Sequence, residues 1–270
     1  MSLFDAIIES AAQNAERLGV SYENCHTDSE GLFVCNVCGK RKQHNFRGRV
    51  SPCVCECDQQ KDSEERKKLK LDERITLLTE RGITDRKYLR CTFESDDSAN
   101  PKITKACKAY VDKWTDIKKN GIGMMFYGDV GTGKSFYACC IGNALLQKGV
   151  AVLITTLSKL VDNYVRSSNG QCQPLNMSQY SLLIIDDLGV ENATPTAYTI
   201  IDDWYRSGKP LIVTTNLDYR TMQNESDMNR RRIYDRVIEM CGGCPIRVTG
   251  NRRIQISETK KQLAREILLS

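Results

Sequence analysis

An eight-residue glycine-rich segment constrains the fold of this chain more than any other feature of its sequence. It reads Gly128-Asp129-Val130-Gly131-Thr132-Gly133-Lys134-Ser135 and fits the pattern G-x-x-x-x-G-K-[ST]. The apolar stretch MMFY precedes it, and the helix-forming stretch SFYACCIGNALLQKG follows it. In that context the glycines let backbone N–H groups turn toward phosphates, Lys134 faces the β- and γ-phosphates, and Ser135 ligates Mg²⁺. We therefore predict an ATP-binding loop at 128–135, extended by Phe136.

Four apolar runs predict the architecture around this loop. They span 123–128, 150–156, 181–187 and 209–216, and each ends in polar residues. Nearly continuous apolar strands are buried on both faces, as in a parallel sheet covered by helices. The sequence therefore predicts an α/β fold of the P-loop NTPase type.

The third run ends in two aspartates that suit a nucleotide site. Asp186 is placed to hold Mg²⁺ through water, and Asp187 to orient an attacking water. The alternative is a simple turn at the end of a buried strand. Asp186 lies 51 residues after Ser135 (186 − 135), with a strand and helix pattern between them, and this order favours the catalytic interpretation.

The cysteines are concentrated near the N-terminus and indicate a metal site. Six of the 13 cysteines lie between positions 25 and 57. Two close pairs, Cys35 with Cys38 and Cys55 with Cys57, have the spacing of a tetrahedral zinc site. Cys25, His44 and Cys53 are alternative ligands, and free cysteines are the competing interpretation. So small and polar a segment would depend on zinc for its folding.

Composition changes along the chain suggest three parts. We predict a zinc-binding domain at 1–58, a charged helical linker at 59–92 and an ATPase domain at 93–270, with a short amphipathic helix near the start of the first part. The net charge of +5 permits nucleic-acid binding without demonstrating it. No apolar run approaches the roughly 20 residues of a membrane span, and the N-terminus lacks signal-peptide features, so we expect a cytoplasmic location and no membrane contact.

Four segments in order resemble one family. FYGDVGTGKSFYACCIGNALLQKG, LLIIDDLGVE, IVTTNL and RRRIYDRVIEMC are similar to DnaC-type replicative helicase loaders, with DnaI-type loaders and IstB-type transposition ATPases as close relatives. The resemblance covers about 85–255 and implies an AAA+ fold whose ATP site a neighbouring subunit completes. It makes Asn216 a γ-phosphate sensor, for which a cap of the following turn is the alternative. It makes Arg236 the arginine finger, with Arg230–Arg232 as alternatives or as a basic helix face. Arg252 and Arg253 are candidates for the second sensor.

The same resemblance implies a function. We expect an ATPase that binds the replicative helicase and single-stranded DNA, with the zinc module gripping the helicase. Lys40, Arg41, Lys42, Arg47 and Arg49 make that module basic, and Phe33 and Phe46 give it few aromatics for stacking. Many AAA+ ATPases carry Glu where this chain has Asp187, so hydrolysis is expected to be slow and switch-like. A transposition helper is the main alternative; a small-molecule kinase and a non-hydrolysing ATP-dependent adaptor are the others.

Overall fold

The computed structural model describes residues 20–189, 194–250, 261 and 265–268. Its contacts divide the chain into two compact units, with the division between Glu73 and Arg74. The amphipathic helix predicted near the N-terminus lies outside the described residues. The predicted boundaries at 58 and 92 stay a prediction.

The first unit contains two short antiparallel hairpins and the beginning of a long helix. Strand β1 (Cys25–Thr27) pairs with β2 (Phe33–Cys35), and β3 (Gln43–Phe46) pairs with β4 (Arg49–Pro52). Helix α1 (Glu56–Gly82) begins directly after them. The buried apolar residues described here are few: Val20, Leu32, Cys35 and Cys55. A core of this size gives little hydrophobic stabilisation, so the unit needs another source of folding energy.

The second unit is built on a five-stranded parallel sheet. Its strands are β5 (Met124–Tyr127), β6 (Val152–Thr155), β7 (Leu182–Leu188), β8 (Leu211–Thr215) and β9 (Pro245–Arg247), in the spatial order β6-β7-β8-β5-β9. The four apolar runs of the sequence supply the first four strands. In such a sheet ligands bind beyond the carboxyl ends of the strands.

Helices cover both faces of this sheet. They are α2 (Pro101–Asp112), α3 (Trp114–Lys119), α4 (Lys134–Gln147), α5 (Leu157–Ser168), α6 (Pro195–Arg206), α7 (Tyr219–Gln223) and α8 (Met228–Cys241). Residues of α2 and α4 form one buried apolar cluster, and residues of α5, α6 and α8 form the other. The predicted α/β fold with a parallel sheet between helix layers is therefore confirmed. Among the described residues, no helix has both the length and the apolar character that crossing a membrane requires.

Candidate nucleotide site and cysteine cluster

The glycine-rich loop connects the carboxyl end of β5 to the first turn of α4. Gly128, Gly131 and Gly133 have φ angles of 133°, 84° and 99°, a region that favours glycine. A Cβ at Gly128 would lie 2.5 Å from the backbone oxygen of Val248, so no larger residue fits. The glycines of the motif are thus required by the path of the backbone.

Lys134 is folded back into this loop. Its ammonium donates hydrogen bonds to the carbonyl oxygens of Gly128 at 2.9 Å and Asp129 at 2.7 Å, and the residue is only 4% exposed. A buried cation, the N-terminus of a 14-residue helix and a glycine loop together form a site suited to an anion. This donor set fits the phosphates of a nucleotide.

The other predicted loop residues surround that cation. Thr132 is buried and donates its hydroxyl to the Asp129 carbonyl at 3.0 Å. Asp129 and Val130 are exposed at the tip, whereas Ser135 is half-buried in the first turn of α4. The half-buried ring of Phe136 lies edge-on to the ring of Tyr137, with centroids 5.6 Å apart.

A β-bulge positions the two aspartates at the end of β7. Ile185 pairs with Val213 and Leu188 with Thr215, so Asp186 and Asp187 together oppose the single residue Thr214. The Thr214 hydroxyl donates to the Asp186 carboxylate at 2.7 Å and accepts the Asp187 N–H at 2.9 Å. Asp187 has a φ of 56°, in the left-handed region. Bulges of this kind redirect side chains beside functional sites.

Tyr88 holds the second oxygen of Asp186. It lies in the short 3₁₀ helix Arg86–Arg90, and its hydroxyl donates to that carboxylate at 2.9 Å. Burial, followed by the negative charge of Asp186, raises the pKa of Tyr88 well above its usual value, so the hydroxyl keeps its proton. Asp186 is 2% exposed, and each of its oxygens accepts a hydroxyl hydrogen bond. No sequence motif marked Tyr88 or Thr214.

Three further predicted residues are the candidate sensors Asn216, Arg252 and Arg253. Asn216 is exposed directly after β8, which lies between β7 and β5 in the sheet. Its strand thus ends between the two aspartates and the glycine-rich loop. Arg252 and Arg253 lie outside the described residues.

Arg236 is bound within its own chain. Its guanidinium is 3.1 Å from the Asp202 carboxylate and 3.6 Å from Glu239, and it lies 4.3 Å from the ring centroid of Tyr205. Arg206, together with Arg236, holds the pKa of Asp202 below its usual value. Arg230, Arg231 and Arg232 are exposed at the beginning of α8.

Four cysteines of the first unit lie close together, and they are the four whose spacing suggested a zinc site. The sulfur atoms of Cys35, Cys38, Cys55 and Cys57 all lie within 4.8 Å of one another. Tetrahedral zinc with bonds of about 2.3 Å places its sulfurs about 3.8 Å apart, so four thiolates at this spacing fit Zn²⁺. Among the described residues this group contains none of the alternatives Cys25, His44 and Cys53.

Local hydrogen bonds favour the thiolate form at one of these positions. The backbone N–H groups of Cys38 and Val37 point at Cys35 and lower the pKa of its thiol to about 6. Cys57 lies in the first turn of α1, where contact with the Cys38 thiol, followed by burial, raises the pKa of its own thiol. Burial raises the pKa of Cys55 to about 12, so that thiol would lose its proton only when a cation binds.

Taken together, the parallel sheet, the glycine-rich loop at β5 and the carboxylates at β7 define an AAA+ P-loop protein. Residues 58–258 match the family described as IstB-like ATP binding protein, and the chain belongs to that family.

Several curated relatives carry one name. "Replicative helicase loader DnaC" of Buchnera aphidicola subsp. Schizaphis graminum is 30% identical over 56% of this chain and 64% of the relative. The protein of that name from Buchnera aphidicola subsp. Baizongia pistaciae is 31% identical over 50% and 59%. That from Escherichia coli K12 is 29% identical over 56% and 64%. The chain thus spans less than two thirds of each relative's length.

Solved structures show the same fold. A crystal structure of the DnaC helicase loader covers 61% of this chain and 100% of its own, with a TM-score of 0.50 and 16% identity. A candidate primosome component from Streptococcus pyogenes serotype M3 covers 64% and 96%, with a TM-score of 0.53 and 18% identity. At such identities the likeness concerns the fold alone.

Proposed function

We propose that this chain is an ATPase that loads a replicative DNA helicase onto single-stranded DNA. One observation carries the proposal: the Lys134 loop, the bulge bearing Asp186 and Asp187, and the strand preceding Asn216 meet at one edge of the sheet. Phosphoryl transfer requires at least a cation that binds the phosphates and a carboxylate that can hold Mg²⁺. The relatives named DnaC supply the partner class.

Each residue has a role in this proposal. Residues 128–135 cradle the phosphates, while Ser135 and Asp186 hold Mg²⁺, which would neutralise the charge of the phosphates. Asp187 orients water and Asn216 senses the γ-phosphate. Because Asp is shorter than Glu at that position, we expect slow, switch-like hydrolysis.

Arg236 is proposed as the arginine finger of a neighbouring copy. In that role its guanidinium would exchange Asp202 for a γ-phosphate across a subunit interface. Homo-oligomers with ATP sites completed in trans follow from this assignment.

The cysteine cluster has a docking role in the proposal. Cys35, Cys38, Cys55 and Cys57 hold a structural zinc that supplies the folding energy of residues 1–58. This module grips the helicase in the cytoplasm, and the ATPase domain 93–270 follows the linker 59–92.

A second candidate is a transposition helper that delivers a transposase to DNA. It rests on the family description, IstB-like ATP binding protein. In that case the partner is a transposase and not a helicase.

Capture of the replicative helicase separates the two. Immobilised helicase should retain the full chain with ATP and Mg²⁺ but not without them. Lys134→Ala should abolish this effect of ATP, because the phosphate-binding cation is gone. Lys119→Ala, at an exposed site on α3, is the control and should behave as the wild type. Retention by a transposase and not by the helicase would overturn the loader proposal in favour of the helper.

A further inference from the structure

The tip of the β3–β4 hairpin has an uncommon turn. Phe46 pairs with Arg49, so Arg47 and Gly48 alone form the connection. Their φ angles are 52° and 80°, and the Gly48 N–H donates to the Asn45 side chain at 3.0 Å. Two-residue turns with both φ values positive favour Asn-Gly or Gly-Gly. Arginine at the first position is not explained by the backbone, and an unfavourable local conformation of this kind suggests a function for the side chain.

The structure separates the basic residues of the module into two groups. Three of them form ion pairs with acidic residues of the same unit: Lys40 with Glu56, Arg41 with Asp28 and Glu30, and buried Lys42 with Asp58. Their charges are therefore largely neutralised. Within residues 20–189, no ion pair involves Arg47 or Arg49, and the stretch 43–52 contains no acidic residue. The uncompensated positive charge of this unit's hairpins is therefore located at the tip.

The phenylalanines Phe33 and Phe46 also differ in their surroundings. Phe33 stacks on Tyr22 with ring centroids 4.7 Å apart, so its ring is already occupied. Phe46 is 73% exposed, and the Arg47 guanidinium lies 5.5 Å from its ring centroid. An exposed ring flanked by two arginines combines a stacking surface for a base with cations for phosphates.

We propose that residues 44–49, the hairpin tip, bind single-stranded DNA, with Phe46 stacked on a base and Arg47 and Arg49 on the adjoining phosphates. This inference rests on the single-stranded DNA part of the proposed function, to which it adds a site in the N-terminal module. Charge selects the ligand: a positive surface without carboxylates matches a polyanion, and the exposed ring matches an unpaired base.

Binding of a fluorescent oligo-dT to the full chain, followed by anisotropy over a range of salt concentrations, tests the site. Phe46→Ala should weaken binding about 5- to 100-fold, and Phe46→Trp should restore it, because a ring is available again for stacking. Arg47→Ala with Arg49→Ala should reduce the slope of log affinity against log salt by about 1.4, the value for two phosphate contacts with a single strand.

Matched controls exclude a general loss of charge or apolar surface. Lys67→Ala with Lys68→Ala removes two exposed cations from α1, and Leu69→Ala trims an apolar residue that is 61% exposed in the same unit. Both should leave the affinity and the salt slope unchanged.

Arg47→Asn distinguishes binding from folding. Asparagine tolerates the left-handed conformation better than arginine, so the melting temperature should stay equal or rise. The salt slope should nevertheless fall by about 0.7, the value for one contact.

Three results would overturn the inference. The first is an unchanged affinity and salt slope in the Phe46 and arginine variants, which would remove the tip site and leave the loader proposal standing. The second is no binding of oligo-dT by the wild type, which would also remove the DNA part of that proposal. The third is normal DNA binding with lost helicase capture in the tip variants, which would assign the tip to the protein partner.

Discussion

At the scale of single residues, the carboxylate of Asp186 stands out in the nucleotide site because neighbouring side chains fix its orientation. Two hydroxyls, from Tyr88 and Thr214, fix its two oxygens, and the same threonine fixes the bulge that carries Asp187. Groups that orient a metal-binding carboxylate influence metal affinity although they never touch the metal. Tyr88 is therefore a positioning residue for Asp186.

Tyr88→Phe tests this role. The ring stays in the core while Asp186 loses a donor, so we expect the free energy of unfolding to fall by about 1.5–3 kcal/mol, the contribution of a hydrogen bond to a charged group. The Mg²⁺ concentration for half-maximal ATP hydrolysis should rise about tenfold or more. Urea denaturation without nucleotide and a Mg²⁺ titration measure the two effects.

Tyr110→Phe is the matched control, because this hydroxyl donates to the neutral carbonyl of Ile122 at 2.7 Å. It should cost only about 0.5–1.5 kcal/mol of stability and leave the Mg²⁺ requirement unchanged. An equal Mg²⁺ requirement in the Tyr88→Phe and wild-type chains would show that Tyr88 serves stability alone.

The residues that the sequence predicted and those it missed differ in the distance over which they act. Residues 128–135 form a local motif, so their geometry follows from eight neighbours. Tyr88 reaches Asp186 across 98 positions of the chain, and no periodicity or spacing encodes such a contact. The sequence identified Thr214 only as a strand residue in IVTTNL. A threonine hydroxyl on the neighbouring strand is nevertheless a suitable hydrogen-bond donor for a carboxylate at a strand end.

At the scale of elements, the apolar runs predicted β5 to β8 because strands buried on both faces have a strong signal. Strand β9 was not predicted, since it has three residues and only one of them, Ile246, is half-buried. The bulge in β7 was not predicted either, because it depends on how β7 pairs with β8.

The folding of the first unit should depend on a bound zinc ion. Its small core leads us to expect that Cys38→Ser, or treatment with a strong zinc chelator, abolishes zinc binding and most of the ordered structure of residues 20–55. ATP binding by the loop 128–135 should persist, because the second unit has its own core. Zinc content by atomic absorption and hydrogen exchange of the unit measure the outcome.

Cys25→Ser is the control for this prediction, since Cys25 belongs to the same unit but not to the four-sulfur group. It should retain one zinc per chain. Zinc retained by Cys38→Ser, or lost from Cys25→Ser, would contradict the ligand assignment.

At the scale of the whole molecule, the question is whether Arg236 acts within its chain or on a neighbour. Mixing two inactive variants answers it. Lys134→Ala lacks the phosphate-binding cation but carries Arg236, and Arg236→Ala lacks the finger but keeps the site. If the finger acts in trans, mixed assemblies contain complete sites, and the mixture should hydrolyse ATP although neither variant does so alone.

Arg231→Ala, exposed five residues earlier on α8 (236 − 231), is the companion variant and should stay active if Arg236 is the finger. Failure of the mixture, together with a lower melting temperature for Arg236→Ala, would limit Arg236 to its contacts with Asp202 and Tyr205.

A helicase loader should transfer a helicase onto DNA in a step that depends on ATP. The most direct measurement is the number of replicative helicase rings placed on a closed single-stranded DNA circle, counted after removal of free helicase. The full chain with ATP and Mg²⁺ should raise this number well above the level without the protein, and Lys134→Ala should not. Equal loading with and without the wild-type chain would contradict the proposed function.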